Sequence, residues 1–101
     1  MFRGTTPTFK LTISDNNVDL TQAYNVYATF KQLSTVITKT GEDITISPQE
    51  VDIYLTQEES LQFSSGTLQI QLNWTYADGS RACSIIVSIN VENNLIGDVL
   101  E

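Results

Sequence analysis

The stretch that decides the fold is residues 67–91, which reads TLQIQLNWTYADGSRACSIIVSINV. Apolar and polar residues alternate on both sides of Asp78-Gly79, which is the period of a strand with one buried face. Asp-Gly is a preferred two-residue turn of β-hairpins, because both turn positions need positive φ. The facing pairs predicted from such a turn are Trp74 with Cys83, Leu72 with Ile85, Ile70 with Val87 and Leu68 with Ile89. The stretch therefore predicts two paired strands that turn these side chains towards one core.

The rest of the chain shows the same preference for strands. Its 13 Thr, 10 Ile and 7 Val are β-branched residues, which pack well on a pleated surface. Period-two alternation indicates further strands near residues 8–13, 24–31 and 35–39, and short ones near 44–47 and 51–55. We therefore expect an all-β fold, an antiparallel immunoglobulin-like β-sandwich of about seven short strands, with a small barrel as the alternative.

One short helix is expected to interrupt the strands. Thr56 and Glu59 have the spacing of a capping box, in which each side chain accepts a hydrogen bond from the backbone N–H of the other residue. Ser64-Ser65-Gly66 ends the helical run, and Gly66 suits a left-handed C-terminal cap. The sequence thus predicts a single connecting helix near residues 57–63.

Length predicts one domain over residues 1–101. In this interpretation residues 1–6 form an N-terminal arm and residues 92–101 a C-terminal tail. The tail follows the last predicted strand and has no obvious partner strand, yet it carries apolar residues. They are Leu95, Ile96, Val99 and Leu100. Two outcomes are open for this segment: it folds back over a sheet edge, or it docks on another subunit.

Charge and residue content exclude several classes of function. The net charge is −7 and the few cations are scattered, which disfavours nucleic acid as a partner. No apolar stretch is long enough for membrane insertion, and the N-terminus lacks the apolar region of a signal peptide. The chain has no His and one Cys, so its composition predicts no metal site, no cofactor and no enzymatic activity.

The individual candidates for chemistry all have structural interpretations. Cys83 shares the inward parity of the last strand, which predicts a core thiol and not a nucleophile. Residues 15–19 open like a calcium loop, but Leu20 and Val26 stand where that loop needs Gly and Glu, so a solvated turn is favoured. Glu58 and Glu59 belong to the first turn of the predicted helix, where negative charge stabilises the positive end of the helix dipole without any catalytic role.

Aromatic residues supply the remaining candidates for contact. Tyr27 and Tyr54 have outward parity on their strands, so they join the tail as candidate interaction residues. Tyr76 is predicted to face Arg81 beside the hairpin turn, in a packing or cation–π contact. Trp74 has inward parity and is expected in the core.

Several segments of the chain form a recognisable set. They are RGTTPT at 3–8, DLT at 19–21, VYATF at 26–30, LTQEE at 55–59, QIQLNW at 69–74 and DGSRA at 78–82. Together they resemble a family of small prophage-encoded proteins of Gram-positive bacteria, found among tail-module genes. The arrangement is also similar to the immunoglobulin-like N-terminal domain of siphophage upper baseplate proteins. None of these motifs is catalytic, so the resemblance implies a virion or assembly role without an active site.

Two functional hypotheses follow. The first is a non-enzymatic structural or assembly protein of a phage or prophage tail or baseplate, whose partners are tail proteins and further copies of itself. The resemblance then implies the host bacterial cytoplasm during assembly and the virion tail afterwards. The alternative is a small module that binds cell-wall carbohydrate. Such a module would need an exposed aromatic platform, and the inward parity of Trp74 counts against it.

Overall fold

Antiparallel strands dominate the computed structural model, which describes all 101 residues. The elements are β1 Thr8–Thr12, β2 Asn25–Gln32, β3 Thr35–Thr40, β4 Ile44–Ser47, β5 Glu50–Tyr54, α1 Gln57–Leu61, β6 Gly66–Thr75, β7 Arg81–Cys83 and β8 Val87–Val91. Two single 3-10 turns, Leu20–Gln22 and Gly41–Asp43, precede β2 and β4. The predicted all-β fold with one short connecting helix is confirmed, with eight strands where about seven were expected.

The strands form two sheets. One has the order β1-β5-β4, and the other has the order β3-β2-β6, with β7 and β8 both paired to the free side of β6. Every pair of strands is antiparallel. The two orders correspond to strands B-E-D and C′-C-F-G of immunoglobulin-like sandwiches, and α1 joins the strands equivalent to E and F.

Alternation along the strands builds the core. On β2, Val26, Ala28 and Phe30 are buried while the residues between them are polar or half-buried. The same alternation on β5 and β6 supplies most of the other buried residues of the core. The buried apolar residues are Leu20, Val26, Ala28, Phe30, Ile44, Val51, Ile53, Leu55, Phe63, Leu68, Ile70, Leu72, Trp74 and Val91. Removing this apolar area from water is the main source of stability for the fold.

The hairpin differs from its prediction near the turn. Tyr76 N–H donates to the Ser80 carbonyl, so the loop has three residues, and Gly79 takes the left-handed φ of 88°. The extra loop residue shifts the pairing by one position, which places Asn73 opposite Cys83. The predicted pairing of Trp74 with Cys83 is therefore wrong, and Cys83 is an exposed thiol and not a core residue.

An interruption between β7 and β8 restores the predicted register. Ser84 N–H donates to the Leu72 carbonyl, and Ser84 Oγ accepts from Leu72 N–H, both at 2.9 Å. The chain then bulges outward, so the predicted pairing of Leu72 with Ile85 is wrong and Ile85 is 81% exposed. Beyond the bulge, the predicted pairs Ile70 with Val87 and Leu68 with Ile89 are confirmed.

The connecting helix is confirmed but is shorter than expected. The capping box is present: Glu59 N–H donates to Thr56 Oγ1, and Thr56 N–H donates to Glu59 Oε1 at 2.9 Å. The helix ends at Leu61 instead of near residue 63. Gly66 does not cap it, because the cap is Gln62 and Gly66 begins β6 with a φ of 130°. Helix α1 is thus a compact turn at one end of the sandwich, which we call the α1 end.

Candidate interaction surfaces

The C-terminal tail lies at the α1 end with its apolar residues uncovered. The side-chain amide of Gln57 makes two hydrogen bonds to the backbone of Leu100: Nε2 donates to the carbonyl at 3.0 Å, and Oε1 accepts from the N–H at 2.8 Å. Leu95 is fully exposed, and Ile96, Val99 and Leu100 keep about half of their surface in water. The tail folds back towards α1, and its predicted contact residues are not among those that pack against the core.

The N-terminal segment is bound at the same end much more firmly. Phe2 forms a parallel bridge with Glu92, and Arg3 N–H donates to the Glu92 carbonyl at 2.9 Å. The Arg3 guanidinium donates to the carbonyls of Leu61 and Phe63, at the C-terminal end of α1. The Leu61 carbonyl is among those that helix α1 leaves without partners, and the Phe63 carbonyl lies two residues beyond the helix. Residues 1–3 of the predicted arm are therefore part of the domain.

A buried ion pair joins α1 to the neighbouring sheet. Lys39 of β3 points inward with 9% of its side chain exposed, and its Nζ lies 2.6 Å from Glu59 Oε1. Burial raises the pKa of Glu59, whereas the hydrogen bond from Lys39, the Thr56 N–H and the Lys39 charge lower it. The lowering influences together are larger, so the pKa of Glu59 lies below its ordinary value. The predicted structural role of Glu59 is confirmed, and Lys39 is its unpredicted partner.

The two candidate tyrosines lie on different sheets. Tyr27 is half-buried on β2, whereas Tyr54 is exposed on β5. Tyr54 lines an acidic groove of about 460 Å³ that also includes Glu42, Asp43 and Asp52. Because the strands belong to different sheets, the two tyrosines do not form one contact surface.

The outward side of the five-stranded sheet forms a second surface, which we call the polar face. Its residues are Asn25, Tyr27, Thr29 and Lys31 on β2, Thr67, Gln69, Gln71, Asn73 and Thr75 on β6, and Val36, Thr38, Thr40, Arg81, Cys83, Ser88 and Asn90 on the flanking strands. Amides and hydroxyls dominate it, and it contains no Asp or Glu although the chain has 12. The polar face is therefore the surface that departs most from the acidic character of the molecule.

Two cations stand on the polar face and neither forms an ion pair. Lys31 has no carboxylate within salt-bridge distance, and Arg81 donates through Nε and Nη2 to Asn73 Oδ1 at 3.2 and 2.9 Å. Asn73 thus holds one edge of the guanidinium and leaves its other N–H groups free. The remaining cations are engaged elsewhere, with Lys10 lying 3.7 Å from Glu50.

Arg81 lies in a shallow groove of about 380 Å³ together with Tyr27 and Thr38. The predicted contact between Arg81 and Tyr76 is absent. Arg81 pairs with Thr75, while the Tyr76 hydroxyl accepts a hydrogen bond from Trp74 Nε1 at 3.0 Å. The extra loop residue in the hairpin is the cause, because it moves Arg81 onto the outward face.

The remaining candidates have the structural roles that the sequence indicates. Asp15 Oδ1 accepts from Asn17 N–H, and Asp19 Oδ1 accepts from Thr21 N–H, which are the local bonds of polar turns. Trp74 is only 3% exposed, which confirms its inward position and rules it out as a binding platform. No cluster of three His, Cys, Asp or Glu residues is arranged to hold a metal ion. The structure contains no helix with the length and apolar character needed to span a membrane.

Searches with this chain against family models, curated proteins and solved structures find no match. The two surfaces therefore have to be interpreted from their own chemistry. Sequence reasoning found the tail but missed the polar face as a unit. The absence of acidic residues at outward positions of five strands was the signal that could have revealed it.

Proposed function

We propose that this protein is a non-enzymatic structural or assembly component that acts through protein–protein contacts. The observation that carries the proposal is the exposed apolar tail. Four apolar side chains, Leu95, Ile96, Val99 and Leu100, are presented to solvent on a segment held by one glutamine. Contiguous exposed apolar residues are characteristic of interaction sites in proteins that otherwise keep such side chains inside.

The biological setting of the proposal is a phage or prophage tail or baseplate. The sequence resemblance to small tail-module proteins supports it, because the motifs that carry the resemblance are structural. In this setting the partners are tail proteins and further copies of the chain. The protein would assemble in the host bacterial cytoplasm and then reside in the virion tail. Carbohydrate binding is the weaker alternative, because Trp74 offers no platform.

Deletion of residues 93–101 tests the proposal. We expect the full chain to self-associate in sedimentation velocity runs over a concentration series, and the truncated chain to remain monomeric. Because the deleted residues cover no core surface, the free energy of unfolding should change by less than about 0.5 kcal/mol. A matched control is Leu33→Ser, which removes one exposed leucine outside the tail and should leave association unchanged.

Two outcomes would contradict this function for the tail. If the truncated protein unfolds, the segment belongs to the folded core and is not a contact element. If it folds and associates like the full chain, the tail carries no contact energy. The position of the reading frame is a separate test of the setting: we expect tail-tube or tape-measure genes beside it, and unrelated neighbours would contradict the phage assignment.

A further inference from the structure

We infer that the polar face is the docking site for the C-terminal tail of a second copy of this chain. This inference rests on the proposed function, because it names the surface that the tail would contact. It commits to one occupant, the segment Leu95–Glu101 of another molecule. The argument uses the charges, the spacing and the hydrogen-bonding capacity of the two surfaces.

The charges of the two elements are complementary. The polar face carries Lys31 and Arg81 and no carboxylate, whereas the tail segment carries Asp98 and Glu101 and no cation. Three grooves outside the polar face each include at least one acidic residue. The groove at Tyr54 is one example, since Glu42 and Asp43 line it and would repel the tail. Complementary charge favours the polar face and disfavours these alternatives.

The length of the tail also suits the polar face. Lys31 pairs with Gln69 and Arg81 pairs with Thr75, so the two cations are separated by six positions along β6. At about 3.4 Å per residue this separation is roughly 20 Å along the strands. A seven-residue extended segment such as Leu95–Glu101 spans about the same length. The tail can therefore lie along the face, and either Asp98 or Glu101 can stand beside one of the two cations, since these carboxylates are only three residues, or about 10 Å, apart.

The surface between the cations is suited to an extended segment. Outward amides run along β6: that of Gln69 makes no hydrogen bond, while Gln71 Nε2 donates to the Ser84 carbonyl and Asn73 Oδ1 accepts from Arg81. The Gln69 amide, Gln71 Oε1 and Asn73 Nδ2 can bond to the backbone of a bound chain. Ile86, displaced outward by the bulge, lies beside Lys31 in a small depression and offers an apolar contact. The depression gives the apolar tail residues a place to bury surface, which charge alone would not provide.

A chain cannot satisfy this contact with its own tail in the conformation observed. Gln57 holds Leu100 against the start of α1, and no hydrogen bond or ion pair joins the tail to the polar face of the same molecule. Docking on a second copy joins different surfaces of the two molecules. Such a heterologous contact generates rings or open chains of subunits.

Charge exchange tests the inference in sedimentation velocity runs at fixed low salt. The double variant K31E/R81E makes the polar face acidic, and D98K/E101K makes the tail basic. Each variant alone places like charges in contact, so we expect self-association to weaken by about tenfold or more. An equimolar mixture of the two brings opposite charges together at every contact and should restore association to near the wild-type level.

Two controls keep the test specific. E42K/D43K changes the net charge by the same amount as D98K/E101K but alters the 3-10 turn between β3 and β4, outside the tail and the polar face, so it should not weaken association. Lys31→Glu alone retains the bond between Arg81 and Asn73, and it replaces the double variant if that protein fails to fold. It should weaken association by a smaller factor in the same direction.

The outcomes separate this inference from the function on which it rests. If deletion of residues 93–101 abolishes association but K31E/R81E associates normally, the tail is a contact element and the polar face is not its site. A mixture that remains as weak as its two components also overturns the inference. If the deletion itself has no effect, the proposed function fails first and the inference fails with it.

Discussion

The two ends of this chain both reach α1, but they are bound in very different ways. At the N-terminus, Arg3 satisfies two carbonyls at the end of the helix, and Phe2 pairs with the residue that follows β8. At the C-terminus, a single side chain, Gln57, holds the backbone of Leu100, and the apolar residues around it remain in water. The N-terminal end is therefore part of the fold, whereas the C-terminal end leaves its apolar side chains exposed, as the proposed contact role requires.

Helix α1 can bind both ends of the chain because contacts with residues of other segments hold it in place. Glu59 joins the capping box with Thr56 and also pairs with the buried Lys39 of β3. Ser60, which is fully buried, donates from Oγ to the Thr5 carbonyl at 2.8 Å. A helix of five residues has little stability of its own, so these tertiary contacts determine its position. Weakening them in turn measures how far each end depends on α1.

The largest effect is expected from removing the buried ion pair. Lys39→Met keeps an unbranched side chain in the core but leaves the Glu59 carboxylate without its partner. Breaking one member of a buried pair costs about 3–5 kcal/mol, and the partial exposure of Glu59 places the expected loss near the lower limit. The free energy of unfolding from urea titration measures it.

A matched control for that change is Lys31→Met on the neighbouring strand β2. Lys31 is exposed and has no ion-pair partner, so its replacement should alter stability by no more than about 0.5 kcal/mol. If Lys39→Met also costs less than this, α1 is not held by the ion pair. The double variant with Glu59→Gln should recover part of the loss, because it removes the uncompensated charge.

The next largest effect concerns the N-terminal end. Arg3→Ala removes a charged donor from two carbonyls at the end of α1, and hydrogen bonds to charged groups contribute about 1.5–3 kcal/mol each at most. We expect a net loss of about 2 kcal/mol in urea unfolding, because water replaces part of these bonds. Lys10→Ala, which breaks an exposed ion pair with Glu50, is the control and should cost less than about 1 kcal/mol. Equal losses would show that the N-terminal segment is not a structural anchor.

A smaller effect is expected from acid. The folded-state pKa of Glu59 is lowered below its ordinary value of 4.5. The contribution of this carboxylate to the free energy of unfolding is therefore fully present above that pH. It is lost as the pH falls through the folded-state pKa. The loss is smaller than that in Lys39→Met, because the neutral acid still fills the capping box. Urea titrations at several pH values measure the slope of the unfolding free energy against pH, and Lys39→Met should make this slope smaller. An unchanged slope in that variant would show that the pair does not lower the pKa.

Much of this molecule could be predicted from the sequence, because local patterns determine it. Alternation identified the strands, and the spacing of Thr56 and Glu59 identified the start of α1. The hairpin register failed only between the turn and the bulge. There, Ser84 Oγ replaces a backbone acceptor for Leu72, and no periodicity reveals such a substitution.

The features that the sequence concealed depend on contacts distant along the chain. Arg3 meets the end of α1 nearly sixty residues later, and composition gives no indication of that pairing. Lys39 shares the inward parity of Ile37, which was a visible sign of burial, but its partner Glu59 is defined only by the packing of the two sheets. The tail was predicted as a contact element because its apolar residues lie beyond the last strand. Its attachment to Gln57 was not predictable, since a lone polar residue on a helix has many possible partners.

The smallest effect on stability is expected at the C-terminal end, where it separates the two ends most clearly. Gln57→Ala removes both hydrogen bonds to Leu100 but deletes no buried apolar group. Because Ala is a good helix former and the bonds are exposed, the free energy of unfolding should change by less than about 0.5 kcal/mol. Amide hydrogen exchange at Leu100 should become faster.

The same substitution should strengthen association, because a tail released from α1 no longer loses those two bonds when it docks. About threefold is expected if the bonds contribute roughly 0.6 kcal/mol together. Gln62→Ala, at an exposed position just after the helix, makes no bond to the tail and should alter neither exchange nor association. If Gln57→Ala weakens association, the tail docks while still held at α1. The two hydrogen bonds between Gln57 and Leu100 would then be part of the contact surface, and both ends of the chain would be fixed to α1 in the assembly.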